Sequence, residues 1–442
     1  MRIAIALMGS RGEVQPGVAL GLELQRRGHD VIVAVPKNLA HLATRTGLPA
    51  LVIDIDSIKD FESDALVQEL TGGSQTKAIL KAALTAVPSV RKKLATIADA
   101  ILEISRDADL IIATQITEFL CAPIATAWGI AITTIHHHPH RKNSFFLPPT
   151  LAPQRELSKK RVRAYWDLFD KYQILMGRLF WTKLLKKRLH VKSVRPTAPK
   201  VFAEQNVVEL QAYYSDLVPG LAEEWDSRRP FVGPLRLLPE FRVALGENVD
   251  LVDDLSEWFE NGPKPIFFGF GSIPHGKTAE EVVALAASVC AKLGQRGLVN
   301  FGGKTAAELP ELPPETARHV RVVGAIAHDA VFPRCSAVVV QGGIGTLNEA
   351  LRAGVPALVC WVAFDQPYWG IAVKHAGVGD HVQFSAIDEA VLEQKIPLLL
   401  DPATQRRAKE LGERLRAQKD GAVFAAEIVD TRILNAKPRS RI

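Results

Sequence analysis

The chain alternates short apolar runs with longer amphipathic stretches, the pattern of strands buried on both faces and separated by helices. In the first third, Ile3–Met8 reads as a strand, Gln15–Arg27 as a helix ended by Gly28-His29, and Val31–Val35, Leu110–Ala113 and Ile130–Ile135 as strands. A second series begins near Pro265-Ile-Phe-Phe-Gly-Phe-Gly-Ser. It continues through a helix at Ala279–Leu293, strands at Gly297–Phe301, Val320–Val323 and Ser336–Gln341, a helix at Thr346–Ala353, a strand at Ala357–Cys360 and a helical tail. Between the series, Asp216-Leu-Val-Pro-Gly-Leu and Arg228-Arg-Pro-Phe-Val-Gly-Pro-Leu are punctuated by Pro and Gly, which places a boundary near residue 240. The pattern predicts an α/β chain of two doubly wound, Rossmann-like domains facing across a cleft, with ligands at the C-terminal ends of the strands. The expected division is 1–240, 241–415 and a helical tail, 416–442, packing back on the first domain.

A length of 442 residues and a hydrophobic content of 47% suit two full-sized cores. The net charge of +6 is local: residues 155–195 hold thirteen Lys and Arg against three Asp and Glu, so the rest of the chain is net acidic. That excludes a protein coating nucleic acid along its whole surface and points to one basic element. The four cysteines stand apart beside apolar runs, as reduced core thiols. The opening apolar run is too short for an export signal, and Gln115, Glu118 and Pro123 divide residues 109–135 into strand, helix and strand, so no membrane span is needed and a cytoplasmic location is expected.

Ser336-Ala-Val-Val-Val-Gln followed by Gly342-Gly-Ile-Gly and Thr346-Leu-Asn-Glu reads as strand, turn and helix start, a place where backbone N–H groups and the positive dipole end hold a diphosphate. Thr346 adds a hydroxyl for phosphate, Glu349 a carboxylate for ribose hydroxyls, and Asp365-Gln366 acceptors and donors for a sugar. Each has a bland reading as turn former or cap; their order within about forty residues favours a nucleotide-sugar site. After the first strand, Glu13 stands beyond the strand end and just before a helix. It is either a base for an acceptor hydroxyl, a role worth about 10²–10⁴ in rate, or a complement to the helix dipole. Neither the turn after the first strand nor Gly343-Ile-Gly345 makes the three-glycine frame of a nicotinamide dinucleotide site.

Gly9-Ser-Arg-Gly-Glu-Val-Gln-Pro, Phe268-Gly-Phe-Gly-Ser, His328-Asp-Ala-Val-Phe-Pro-Arg, Gly342-Gly-Ile-Gly-Thr, Leu351-Arg-Ala-Gly-Val-Pro and Asp365-Gln-Pro-Tyr-Trp-Gly together resemble the family 1 glycosyltransferases of the GT-B fold. The sterol and lipid glucosyltransferases and their antibiotic-modifying relatives are the nearest branch. The resemblance covers most of the chain and implies inverting, metal-independent transfer of a hexose from UDP or dTDP to a hydroxyl of a lipophilic acceptor. The acceptor would be held by residues 1–240 and the nucleotide sugar by 241–415, with no cofactor. Glu13 falls where the bacterial branch has an Asp thought to be the base. Ser272 falls in the Gly-Ser loop near the phosphates, and Ile326, Ala327 and His328 in the loop on the nucleobase. Gly343, Gly345 and Thr346 match the diphosphate turn, Glu349 the ribose acid, and Asp365 and Gln366 the pair on the transferred sugar. Gln341 stands where the family has a histidine, a neutral amide near the leaving group, and Trp361 where it often has Pro, stacking on the sugar or filling the cleft wall. The resemblance leaves two rivals: a sugar-nucleotide epimerase and a non-catalytic sugar-nucleotide-binding partner.

Ile135-His-His-His-Pro-His140 is read as an acceptor-cleft loop rather than a metal site, because neighbouring side chains on an extended loop diverge. Ser10, Arg11, His136, His138 and Trp361 are the candidate acceptor residues. Val162, Tyr165, Phe169, Tyr172, Met176 and Leu179 recur at helical spacing, most simply as core packing, with a basic face also suited to peripheral membrane contact. RNA binding has no motif behind it.

Overall fold

The computed structural model describes the chain except residues 58, 60–75, 149–156, 196, 248, 252, 271–276, 303–311 and 435–442. Its first half contains β1 (Arg2–Ala6), α1 (Arg11–Arg26), β2 (Asp30–Pro36), β3 (Ala50–Ile53), α2 (Thr76–Ser105), β4 (Leu110–Thr114), α3 (Glu118–Trp128), β5 (Ala131–His136), α4 (Lys159–Phe180), α5 (Thr182–Leu189) and β6 (Glu209–Gln211). The second half contains β7 (Ile266–Gly269), α6 (Ala279–Leu293), β8 (Gly297–Asn300), β9 (Val320–Val323), β10 (Ala337–Val340), α7 (Ile344–Arg352), β11 (Ala357–Trp361), α8 (Gln366–His375), β12 (Gly379–Gln383), α9 (Pro402–Ala417) and α10 (Gly421–Ile428), with short helical turns between.

Each half builds one six-stranded parallel sheet, in the orders β3-β2-β1-β4-β5-β6 and β12-β11-β10-β7-β8-β9. Counted within its own half, each order is 3-2-1-4-5-6, the doubly wound arrangement. The fold class read from the sequence is therefore observed. The strand order reverses between β1 and β4 in the first sheet and between β7 and β10 in the second, and at such reversals a crevice opens above the strand ends. Strands at these positions are sealed on both faces by helices, which is why β4 and β10 are buried along their whole length.

Three strands, β3, β6 and β12, escaped the hydrophobic pattern. All three lie at sheet edges; β3 is only four residues long, and β6 and β12 carry polar residues such as Glu209, Gln211, Asp380 and His381. The helix α2 runs from Thr76 to Ser105 with Pro88 inside it. Leu110–His136 divides into strand, helix and strand, and among the described residues no helix is long and apolar enough to cross a membrane. All four cysteines are buried and unpaired.

The end of the chain returns to the first half. Ala425, Ala426, Ile428 and Val429 share a core with Val14, Val18 and Leu22 of α1. Arg27 reaches Asp430 at 3.1 Å and the Val423 carbonyl at 3.3 Å, and His29 Nε2 lies 2.8 Å from Asp430. The halves also meet directly: Arg236 grips both oxygens of Glu349 at 2.7 and 3.1 Å, Arg242 reaches Asp329 at 2.7 Å, and Tyr213 packs edge-on against Trp369.

Candidate active site

The first half of the site is the turn leaving β1. Ser10 is the N-cap of α1, and its backbone N–H donates to Glu13 Oε2 at 2.8 Å, so one carboxylate oxygen of Glu13 completes the helix start. The other, Oε1, accepts from Gln115 Nε2 at 3.4 Å. Gln115 directly follows β4, the strand beside β1 at the reversal point, so Glu13 stands at the mouth of the crevice. Burial, together with the facing Asp365 carboxylate of the second half, pushes the Glu13 carboxyl up to about 8. Capping and cleft roles thus coexist in one side chain, because capping uses one oxygen and fixes the rotamer that presents the other.

The second half of the site grows from the reversal between β7 and β10. Gly342 leaves β10 at φ +92°, and a Cβ there would lie 2.4 Å from Val359 Cγ1 on β11, so this position needs glycine for both conformation and space. Gly343 and Gly345 differ: a Cβ at either would meet nothing within 4 Å, so these two leave an open concavity before α7. Gly343 is the N-cap of α7 and no side chain caps it, which leaves the first-turn N–H groups directed at whatever occupies the turn. Thr346 is half-buried in that first turn, and Gln341, also half-buried, donates its backbone N–H to the Gly269 carbonyl at 3.3 Å. Asp365 caps α8, and its Oδ2 accepts from the Trp369 indole at 2.9 Å while burial raises its carboxyl. The Gln366 carbonyl accepts from the backbone N–H groups of Val362 and Ala363 at 2.7 and 3.3 Å, which leaves its NH₂ to donate. Phe364, just before this pair, is held at φ +60° and is 53% exposed.

Ala327 is buried, Ile326 half-buried, and His328 stacks on Phe332 with centroids 4.8 Å apart. Burial pushes the His328 imidazole down to about 4, so it is neutral at ordinary pH. Ser272 lies outside the described residues. Glu349 stands on α7, with its carboxylate engaged by Arg236. Trp361 donates its indole N–H to His381 Nδ1 at 3.3 Å and is half-buried.

A model of the C-terminal domain of erythromycin biosynthesis protein CIII-like proteins matches residues 287–433, and one of the glycosyltransferase family 28 N-terminal domain matches residues 3–136. An uncharacterized glycosyltransferase of Mycobacterium tuberculosis is 32% identical over 434 residues, covering 97% of this chain and 98% of its own. The chain belongs to the family 1 glycosyltransferases of the GT-B fold. A sterol 3-beta-glucosyltransferase of Arabidopsis thaliana is 27% identical over 99% of this chain and 66% of its own length. The crystal structure of the calicheamicin glycosyltransferase is 18% identical, covers 99% of both chains and superposes with a TM-score of 0.67.

In this glycosyltransferase the histidine run does not lie along the cleft as a row. His136 is fully buried, with Nε2 3.1 Å from Glu118 Oε2 and Nδ1 3.3 Å from Gln211 Nε2. Arg141 joins the same cluster, reaching Glu118 at 2.8 and 2.9 Å and Glu209 at 2.5 Å. Burial, with the Arg141 charge beside it, holds His136 far below its usual range, so it is neutral and serves this network rather than an acceptor. His138 is buried with Nε2 unpartnered, and burial lowers it to about 4. His137 is tied to the same site through Gln115, whose Oε1 accepts from the His137 backbone N–H at 3.4 Å, and burial pushes its imidazole down to about 3. Among the described residues, no group of three His, Cys, Asp or Glu side chains is placed to hold a metal. Ser10 and Arg11 are exposed on the turn, and Arg11 bonds Gln15 at 2.7 Å and pairs with Glu247.

Gln115, His137, Phe364 and Arg236 were not singled out by sequence. A signal existed for Gln115: in a 3-2-1-4 order the residue leaving the fourth strand must face the turn leaving the first. Nothing local marks Arg236, because its partner is 113 residues away.

Proposed function

We propose that this glycosyltransferase moves a hexose, with inversion, from UDP or dTDP to a hydroxyl of a lipophilic acceptor such as a sterol, a glycolipid or a polyketide-like product. The observation carrying this reading is the convergence of two carboxylates from opposite halves. Glu13, at the crevice of the first sheet, senses the charge of Asp365, at the crevice of the second. The acceptor O–H proton passes to Glu13 Oε1 as the acceptor oxygen attacks the anomeric carbon. The bond from that carbon to the diphosphate oxygen breaks, and the nucleoside diphosphate leaves toward the uncapped first turn of α7. Asp365 Oδ1 and the Gln366 NH₂ bind the sugar hydroxyls and fix its face. Ile326, Ala327 and His328 carry the nucleobase, Thr346 a phosphate, and Glu349 the ribose once Arg236 shares it. The sterol glucosyltransferase among the relatives supports the acceptor class.

The test is Glu13→Gln, which keeps a carbonyl oxygen for the Ser10 cap and removes the base. Transfer should fall by about 10²–10⁴ with nucleotide affinity unchanged. Rates within threefold of the parent would remove Glu13 from the chemistry. Turnover of donor without any acceptor would support an epimerase instead.

A further inference from the structure

Helix α4 carries two apolar stripes, and the fold uses only one. Val162, Trp166 and Phe169 are buried against Leu147 and Leu157, and the Trp166 indole donates to the Phe146 carbonyl at 2.8 Å. Tyr165, Leu168, Tyr172, Leu175 and Leu179 are instead 39–60% exposed. Their spacing of three, four, three and four residues confines them to roughly 80° of arc along ~21 Å of helix. The sequence stripe expected to be core therefore splits, with Val162 and Phe169 inward and Tyr165, Tyr172 and Leu179 outward.

Cations border this outward stripe. Lys160, Lys171 and Arg178 stand exposed along one side of it on α4, and Lys183, Lys186 and Lys187 continue from its end on α5. Arg178, Thr182, Lys183, Lys186, Lys187 and Val191 line an open groove of about 560 Å³. Among the described residues, none of those four cations has a carboxylate partner, whereas neighbouring Arg188 is paired with Asp99 at 2.6 Å. A solvated helix face does not require five large apolar side chains in line, and a buried one does not leave four charges unneutralised.

We propose that α4 and α5 form a docking surface for an anionic lipid bilayer, the stripe entering the headgroup–acyl boundary and the lysines of α5 meeting lipid phosphates. A second copy of the chain fits less well, since self-complementary pairing of the stripes would press identical cations together. Nucleic acid would use the charge and leave the leucines in water. The surface lies near the candidate site: Phe146, whose carbonyl accepts from Trp166 of α4, packs its ring 4.2 Å from Tyr368, next to the Trp369 that donates to Asp365. The proposal goes beyond the transfer reaction and stands whichever residue is the base.

Co-sedimentation of the whole chain with vesicles tests it. Binding is expected to mixed phosphatidylcholine–phosphatidylglycerol vesicles, weakly to phosphatidylcholine alone, and to fall with added salt. K183Q/K186Q/K187Q should lower partitioning to the anionic vesicles by about a hundredfold. L168S/L175S/L179S should lower it on both vesicle types. Thermal unfolding accompanies both variants, and if the leucine variant fails to fold, the lysine variant decides. Equal binding to both vesicle types, or none, overturns the proposal. So does a parent dimer in light scattering that L168S/L175S/L179S converts to monomer without changing sedimentation, or retention of a single-stranded RNA in place of vesicles.

Discussion

The two halves share one strand order and differ in what fills the space beside the strand ends. In the second half the neighbourhood of β7, β10 and β11 is apolar, built from Phe267, Val338, Val340, Leu347 and Val359. Its polar chemistry is confined to a glycine turn, a helix start and the Asp365-Gln366 pair. In the first half, Glu118, His136, Arg141, Glu209 and Gln211 form a buried charged network beneath the histidine run. Apolar packing makes the turn of the second half rigid, whereas in the first half directional polar bonds hold the histidine loop where packing alone would leave several arrangements.

The largest effect should come from breaking that network. Arg141→Met leaves Glu118 buried without its cation and Glu209 with Arg229 alone, at 3.1 Å, and should destabilise the first half by about 3–5 kcal/mol. Urea unfolding should then show an early transition while nucleotide binding by the second half survives to higher urea. A single unshifted transition would mean that the network does not support the fold. Next is a paired change in the donor turn. Gly342→Ala combines a positive φ with a Cβ against Val359 and should cost about 2–4 kcal/mol by thermal unfolding. Gly343→Ala, with φ −58° and open space around the new methyl, should leave stability unchanged and raise the KM for the donor. Equal losses of stability at both positions would remove the distinction between a fold-determining glycine and a ligand-facing one.

A third change restores the residue the family resemblance led one to expect. Gln341→His places an imidazole near the departing diphosphate and should raise kcat about tenfold, since oriented donors at such sites are worth about 2.7–4 kcal/mol when added to none. An unchanged kcat would place Gln341 away from the leaving group.

The smallest effect is one of pH. Because burial raises the Glu13 carboxyl to about 8, the folded state binds its proton where the unfolded chain has lost it. That penalty is absent below the ordinary carboxylate range, grows as pH rises through it, and is complete above about 8. Glu13→Gln should therefore melt higher than the parent at pH 9 and the same at pH 4, while parent turnover rises between pH 7 and 9. A flat profile would mean that Glu13 is ionised throughout.

Legibility divided along the same line as the chemistry. The helix Ala279–Leu293 and the strand Val320–Val323 have the bounds their patterns predicted, the helix because the Thr278–Glu281 capping box and the left-handed Gly294 mark its two ends. The glycine turn before α7 was readable because it is local: glycines, a threonine and a helix start within a few residues. The histidine run was read as an acceptor-cleft loop with diverging side chains, and the structure buries His136 in a polar network. The spacing of the run revealed how the side chains alternate, but not that Glu118 and Arg141 would draw His136 inward. The α4 stripe was misread for a similar reason: periodicity defines a face and is silent about which of two faces finds a partner.

By itself, then, the sequence determined the two parallel sheets and the glycine turn before α7, properties of burial period and backbone conformation within a few residues. The convergence of Glu13 with Gln115 and Asp365, the grip of Arg236 on Glu349, and the exposure of the second stripe on α4 were decided only in the tertiary structure. These depend on pairs 102 to 352 residues apart, or on an unburied surface, and no local pattern encodes which distant charge a folded chain brings near.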